Sequence, residues 1–156
     1  TLLDFERSGI SGAISHRRNV RDLMDYAKGE GKDISRLSEY DTIRHEVPAP
    51  HTETEVLFNF AFRIVSMQNA GMVPNYEASM NKMYGSELAQ RVARTGTKVF
   101  GLYSNLWKDT EGTKYAPLAA RFTHSYCTTV PLTILSGSNE IQRNVIATRG
   151  LGLPRG

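Results

Sequence analysis

Over residues 3–28 and 52–103 of this 156-residue chain, apolar side chains return every three or four positions, and no stretch carries a hairpin signal. Helices are therefore the regular structure this pattern supports. The spacing predicts a first helix from Leu3 to about Lys28, with Ile10, Ala13, Ile14, Val20, Leu23, Met24 and Ala27 on one stripe. Arg17, Arg18, Arg21 and Asp22 fall largely outside the stripe, and Gly29-Glu30-Gly31 ends the helix. Residues 32 to 50 are polar and irregular; Ile34 to Arg44 offers a few more turns, and Pro48 and Pro50 forbid a helix running straight on. A second helix is expected from near Thr52, where Thr52 and Glu55 form a capping-box pattern, through Leu57, Phe60, Ala61, Ile64, Met67 and Gly71. Pro74-Asn75 then opens the longest helix, in which Met80, Tyr84, Leu88 and Val92 step by four and Val99 and Tyr103 prolong the segment. Tyr115, Leu118, Ala119, Phe122 and Tyr126 mark a fourth helix, interrupted by Pro131. In the tail, Gly137 makes a turn, Ser138 is an N-cap, Glu140 suits the first-turn dipole and Gly150 stops a short helix. Long amphipathic helices joined by short loops run antiparallel. The expected fold is all-α, an up-and-down antiparallel four-helix bundle plus a short C-terminal helix, as one domain over residues 1–156.

Composition excludes several function classes. A net charge of +3 comes from Lys and Arg residues scattered along the chain rather than gathered with aromatics, which argues against nucleic-acid binding. No apolar run approaches the length of a membrane span. The opening residues lack the regions of a signal peptide and the single Cys127 cannot form an internal disulfide, so a reducing, cytoplasmic setting is expected. Cys127 reads as a buried packing residue, and Met67, Met72, Met80 and Met83 as core and turn filler. His45 and His51 have no zinc-ligand spacing and read as loop or surface residues, so no metal site is expected. Gly150 and Gly152 lack the third glycine and preceding strand of a dinucleotide fingerprint.

The tail is the most specific string. Ser136-Gly137-Ser138-Asn139-Glu140-Ile141-Gln142-Arg143-Asn144, followed by Gly150-Leu151-Gly152-Leu153-Pro154, resembles the ending of the acyl-CoA dehydrogenases, flavoenzymes that oxidise the α,β bond of acyl-CoA thioesters. Gly71 to Pro74 with Glu77-Ala78-Ser79-Met80-Asn81-Lys82 and Ser86 to Val92 resembles the third long helix of that family's C-terminal domain, and Leu3 to Arg7 its first. The resemblance implies that an N-terminal helical domain and a middle β-domain precede this segment in a complete member. It also implies FAD as cofactor, an acyl-CoA substrate, an electron-transfer acceptor as partner, and homo- or hetero-oligomers such as dimers or tetramers.

The family reaction needs a carboxylate at the substrate α-carbon. Many members keep that Glu immediately before the tail glycine, where this chain has Ser136, which is no base at neutral pH. A second branch, including isovaleryl-CoA dehydrogenase-like enzymes, carries it on the first helix in a Leu-Glu-Arg-like string. Phe5-Glu6-Arg7 matches that pattern, so Glu6 is the candidate base with Arg7 beside it. Without the family, Glu6 reads as a first-turn glutamate favoured by the helix dipole. Gly9 and Ala13, three and seven positions on, would line the same face as small substrate-pocket residues with room for a bulky acyl chain, or simply let helices approach closely. Ser138 and Glu140 occupy the family's flavin-contact positions in the tail, and Lys98 and Gly101 correspond to a segment at the pyrophosphate of a neighbouring subunit's flavin. There Lys98 replaces a Gln and Leu102 a second Gly, and the Arg-x-x-Phe-Gly motif after the first helix is replaced by Lys28-Gly29-Glu30-Gly31. These departures leave a second reading open: a non-catalytic helical subunit or oligomerisation module of a heteromeric acyl-CoA dehydrogenase.

Overall fold

The computed structural model describes residues 9–29, 40–107 and 116–155, and among them there is no β-strand. The first helix, α1 (Ile10–Lys28), buries Ala13, Val20, Leu23 and Ala27, which recur at steps of three, four and seven. It starts later than the periodicity suggested. Gly9 stands at φ 63, a left-handed conformation through which a right-handed helix cannot run, so a helix continuous from Leu3 is broken there. Gly29 at φ 78 ends the helix as expected, its N–H donating to the Tyr26 carbonyl at 3.1 Å.

A short helix α2 (Asp41–Glu46) leads through Val47 into α3 (Pro48–Asn69). The expected start near Thr52 is wrong by a full turn. Both prolines sit in the first turn of α3, where an N–H would have no helical acceptor, so they open this helix, while α2 ends before them at Glu46 and does not run straight on. Thr52 consequently makes no cap, its hydroxyl donating back to the Pro48 carbonyl at 3.4 Å, and Glu55 pairs with Arg17 of α1.

The longest helix, α4 (Tyr76–Phe100), follows the turn at residues 70–75 and forms the centre of the fold, packing against α1, α3 and both later helices. Its buried apolar line is Ala78, Leu88, Val92 and Val99, whereas Met80 and Tyr84 are half-buried. A step of four precesses around a helix of 3.6 residues per turn, which carries the four-step series off the core face. Gly101 ends α4, and Tyr103 lies in the 3-10 turn Gly101–Asn105 with its side chain exposed.

The fourth helix is fragmented. Leu118, Ala119 and Ala120 adopt left-handed conformations at φ 50, 54 and 57, so regular helix is confined to α5 (Arg121–Thr128), with a 3-10 turn Val130–Thr133 after it. Tyr115 lies outside the described residues, Tyr126 is exposed, and Cys127 is exposed rather than packed inside. Phe122 anchors α5: its ring lies 5.4 Å from that of Phe100, which stacks edge-on to Tyr26 at 4.8 Å, tying α1, α4 and α5 together. That approach depends on Gly96, where an added Cβ would lie 2.3 Å from the Phe122 ring. The chain closes with α6 (Asn139–Val145) and a π-helical turn Ile146–Gly150. The architecture is all-helical as expected, and among the described residues no helix is long and apolar enough to cross a membrane.

Candidate functional site

A cavity of about 350 Å³ opens where α1, α3, α4 and residues 132–136 meet. From α1 and its cap come Gly9, Gly12, Ala13 and His16; from α3, Leu57; from α4, Asn81, Lys82, Gly85 and Ser86; and from the segment before α6, Leu132, Leu135 and Ser136. Two of the expected pocket residues, Gly9 and Ala13, are thus brought together with Ser136, the family's alternative base position. The small residues make the space: an added Cβ at Gly12 meets nothing within 4 Å, while one at Gly85 would touch Leu57 at 3.4 Å. Glu6 and Arg7 lie outside the described residues. Gly9 itself is the left-handed cap that precedes α1, so it shares the cavity with Ala13 from the cap rather than from within the helix.

The polar groups around this cavity divide into two sets. Ser86 and Lys82 are engaged: the Ser86 hydroxyl lies 2.9 Å from the Met83 carbonyl and 3.1 Å from Asn139 Oδ1, and Lys82 Nζ donates to that same Oδ1 at 2.8 Å. Asn81 and His16 are not. Asn81 Oδ1 and His16 Nδ1 are buried with no partner among the described residues, and burial pulls His16 below its ordinary value of 6.5 by disfavouring the charged form.

The turn that carries Ser136 is held from behind. Ser136 and Gly137 stand at φ 56 and φ 88, and Gln142 Nε2 donates to both of their carbonyls at 3.4 Å. Asn139, only 2% exposed, accepts from Lys82 and Ser86 and donates to Glu87 Oε1 at 3.1 Å, which fastens α6 to α4. The expected flavin-contact residues flank this anchor. Ser138 caps α6, its Oγ accepting from the Ile141 N–H at 3.4 Å. Glu140 is exposed, and its own backbone N–H, then the Ser138 hydroxyl, hold its carboxyl below the usual carboxylate range, with Arg143 and Lys82 adding attraction. The sequence pointed to Ser138 and Glu140 but missed Asn139 and Gln142. The α4 partners of Asn139 lie more than fifty residues away, so local spacing carries no trace of that contact.

Lys98 and Gly101 lie together in a different place. They line a cavity of about 650 Å³ at the C-terminal end of α4, with Tyr40, Ile43, Leu102 and Tyr103 among its walls. Lys98 Nζ there donates to both carboxylate oxygens of Glu46 at 2.8 Å. Of the four expected flavin contacts, Lys98 and Gly101 share this cavity, while Ser138 and Glu140 line neither it nor the cavity at α1. His45 and His51 are exposed, as read from the sequence, but on α2 and α3 rather than in a loop.

Comparison with known proteins agrees with this geometry. The model of the acyl-CoA dehydrogenase C-terminal domain matches residues 1–151. Acyl-CoA dehydrogenase FadE26 of Mycobacterium tuberculosis is 31% identical over 142 residues, which are 88% of this chain and 34% of that protein. The chain therefore spans about a third of that relative's length. Among solved structures, a variant of the Tcur3481-Tcur3483 steroid ACAD superposes with a TM-score of 0.82 at 25% identity over 99% of this chain and 39% of the other. The ChsE4-ChsE5 complex from Mycobacterium tuberculosis gives 0.73 at 28% identity over 94% and 36%.

Proposed function

Since the chain belongs to the acyl-CoA dehydrogenase family, as its C-terminal helical domain, we propose that it serves a flavin-dependent enzyme that removes the α and β hydrogens of an acyl-CoA thioester. In this reading Glu6 takes the α-proton from the substrate as the Cα–Cβ bond becomes double. FAD, when bound, accepts the β-hydrogen as hydride. The single observation that carries the reading is the cavity that Gly9, three residues after Glu6 in the sequence, shares with Ser136, the family's alternative base position; of Glu6 and Ser136 only Glu6 has base chemistry. Its small-residue walls suit a bulky acyl group, as does the likeness to a steroid ACAD.

The residues expected at the flavin fit it unequally. Ser138 and Glu140 lie on an accessible edge with Lys82 and Arg143 nearby, and would hold the cofactor there. Lys98 does not fit a phosphate role, because its ammonium is matched by both oxygens of Glu46. A chain with one competent edge needs the other supplied from elsewhere, which supports a heteromeric enzyme in which an unlike subunit completes each flavin site. The likeness to the ChsE4-ChsE5 complex supports the same arrangement. Exposed apolar side chains outside both cavities, such as Phe62, Val130 and Ile134, offer further surface for assembly. A second reading, a non-catalytic subunit, is favoured by the Lys98–Glu46 pair and opposed by Glu6.

An absorption spectrum separates the two. The full-length protein, purified with any subunit that copurifies, should show flavin bands that bleach when an acyl-CoA is added; a colourless preparation, or bands that no acyl-CoA bleaches, refutes the enzymatic reading.

A further inference from the structure

We propose that His16 and Asn81 are specificity-determining residues that select a bulky acyl group carrying a hydroxyl or ketone of its own over a plain hydrocarbon of similar size. This assignment rests on the acyl-CoA reading above and deepens it.

Apart from Lys82, Ser86 and Ser136, the rest of the cavity wall is small or apolar, through Gly12, Ala13, Gly85, Leu57 and Leu135. Into this wall are set two polar side chains with buried, unpartnered atoms: Asn81 Oδ1, on a residue 6% exposed, and His16 Nδ1. Buried polar atoms are nearly always hydrogen-bonded, so two orphans on one cavity point to a ligand that brings their partners. The neighbouring polar groups do not serve, since Lys82 and Ser86 are directed to Asn139. A hydroxyl or ketone suits the pair because the asparagine amide offers both donor and acceptor, and the neutral imidazole nitrogen takes either role with its tautomer. Burial keeps His16 in that neutral form near pH 7.

The two residues stand on different helices, α1 and α4, which pack against each other. His16 follows Gly9 by seven residues, about 10 Å along α1 at the helical rise of 1.5 Å per residue. The His16 contact therefore lies away from the Gly9 end of the cavity. A hydrocarbon in the same place would leave both side chains desolvated and unpaired. Sites built to hydrogen-bond a substrate group reject analogues lacking it far more strongly than they reject a missing methylene.

The test compares cyclohexylpropanoyl-CoA with its ring-hydroxylated isomers as substrates of the full-length enzyme, together with any subunit that copurifies. At least one hydroxylated isomer is expected to exceed the plain thioester by about tenfold or more in kcat/KM. Asn81→Leu and His16→Phe should each bring that ratio toward unity. A purely structural role would instead lower all the thioesters alike and leave the ratio where it was, which overturns the assignment. So does a wild-type ratio near unity for every isomer, a measurement that needs no variant. Absence of turnover with any acyl-CoA, plain or hydroxylated, overturns the acyl-CoA reading and this assignment with it.

Discussion

Replacing Asn139 with alanine should unfasten the tail of the molecule from its central helix. The amide makes three contacts: Lys82 Nζ at 2.8 Å and the Ser86 hydroxyl at 3.1 Å on Oδ1, and Glu87 Oε1 at 3.1 Å from Nδ2. Hydrogen bonds to charged partners contribute about 1.5–3 kcal/mol each when well buried. Lys82 and Glu87 are only half-buried, and Glu87 keeps Arg143 and Arg91, so about 1 kcal/mol each is the better figure. The Ser86 hydroxyl retains the Met83 carbonyl at 2.9 Å and adds little. The void left by a side chain at 2% exposure adds about another 1 kcal/mol, for a total loss of about 2–4 kcal/mol. At a urea slope of about 2 kcal/mol/M, the unfolding midpoint should fall by about 1–2 M with the slope unchanged. In a double-mutant cycle with Lys82→Met, the pair should show a coupling of at least about 0.5 kcal/mol. A shift below about 0.5 kcal/mol for Asn139→Ala, the scatter of ordinary surface substitutions, would refute the anchoring role.

Gly96→Ala forces a Cβ to within 2.3 Å of the buried Phe122 ring. Overpacking of about 1–3 kcal/mol should outweigh the roughly 1 kcal/mol gained in helix propensity, so the melting temperature should drop, and a rise would contradict the close contact of α4 and α5. His16 gives a pH dependence whose sign follows from its lowered value: the unfolded chain binds the proton more readily, so its contribution to stability is full above about 6.5 and is lost as pH falls below that toward the folded value. Urea midpoints measured downward from pH 7 should show that slope, and His16→Phe should remove it. Lys98→Gln restores the residue expected at a flavin pyrophosphate but leaves Glu46 unpaired. Both side chains of the pair are substantially exposed, so stability should change by less than about 1 kcal/mol, and a larger loss in denaturation would mean the pair matters more than its exposure suggests.

Sequence periodicity revealed most of the architecture because three long helices each carry a repeating buried face. Ala13, Val20, Leu23 and Ala27 on α1, and Leu57, Ala61 and Ile64 on α3, are buried as their spacing implied. It failed where a rule about one residue met a local exception. Pro48 and Pro50 usually end helices, yet in a first turn they cost nothing, and Leu118, Ala119 and Ala120 give no sequence signal for left-handed backbone. Cys127 and Tyr126 looked interior because Tyr126 fell on the apolar spacing of the fourth helix with Cys127 beside it, whereas α5 has only eight residues and buries Phe122 alone. The tail string identified the right segment but not its division of labour. Ser138 as the cap and Glu140 in the first turn of α6 were legible from local spacing, while the Asn139 anchor and the Lys98–Glu46 pair join residues more than fifty apart and are visible only in the fold.

In the proposed function Glu6 supplies the catalytic carboxylate and the Ser136 turn only shapes the cavity. Steady-state turnover of an acyl-CoA by the full-length enzyme tests it most directly, comparing Glu6→Gln with Ser136→Ala. Glu6→Gln keeps shape and hydrogen bonding but removes the base, so turnover should fall by about 100-fold to 10,000-fold with flavin content unchanged, while Ser136→Ala stays near wild type. Near wild-type turnover in Glu6→Gln, or greater damage from Ser136→Ala, would contradict it.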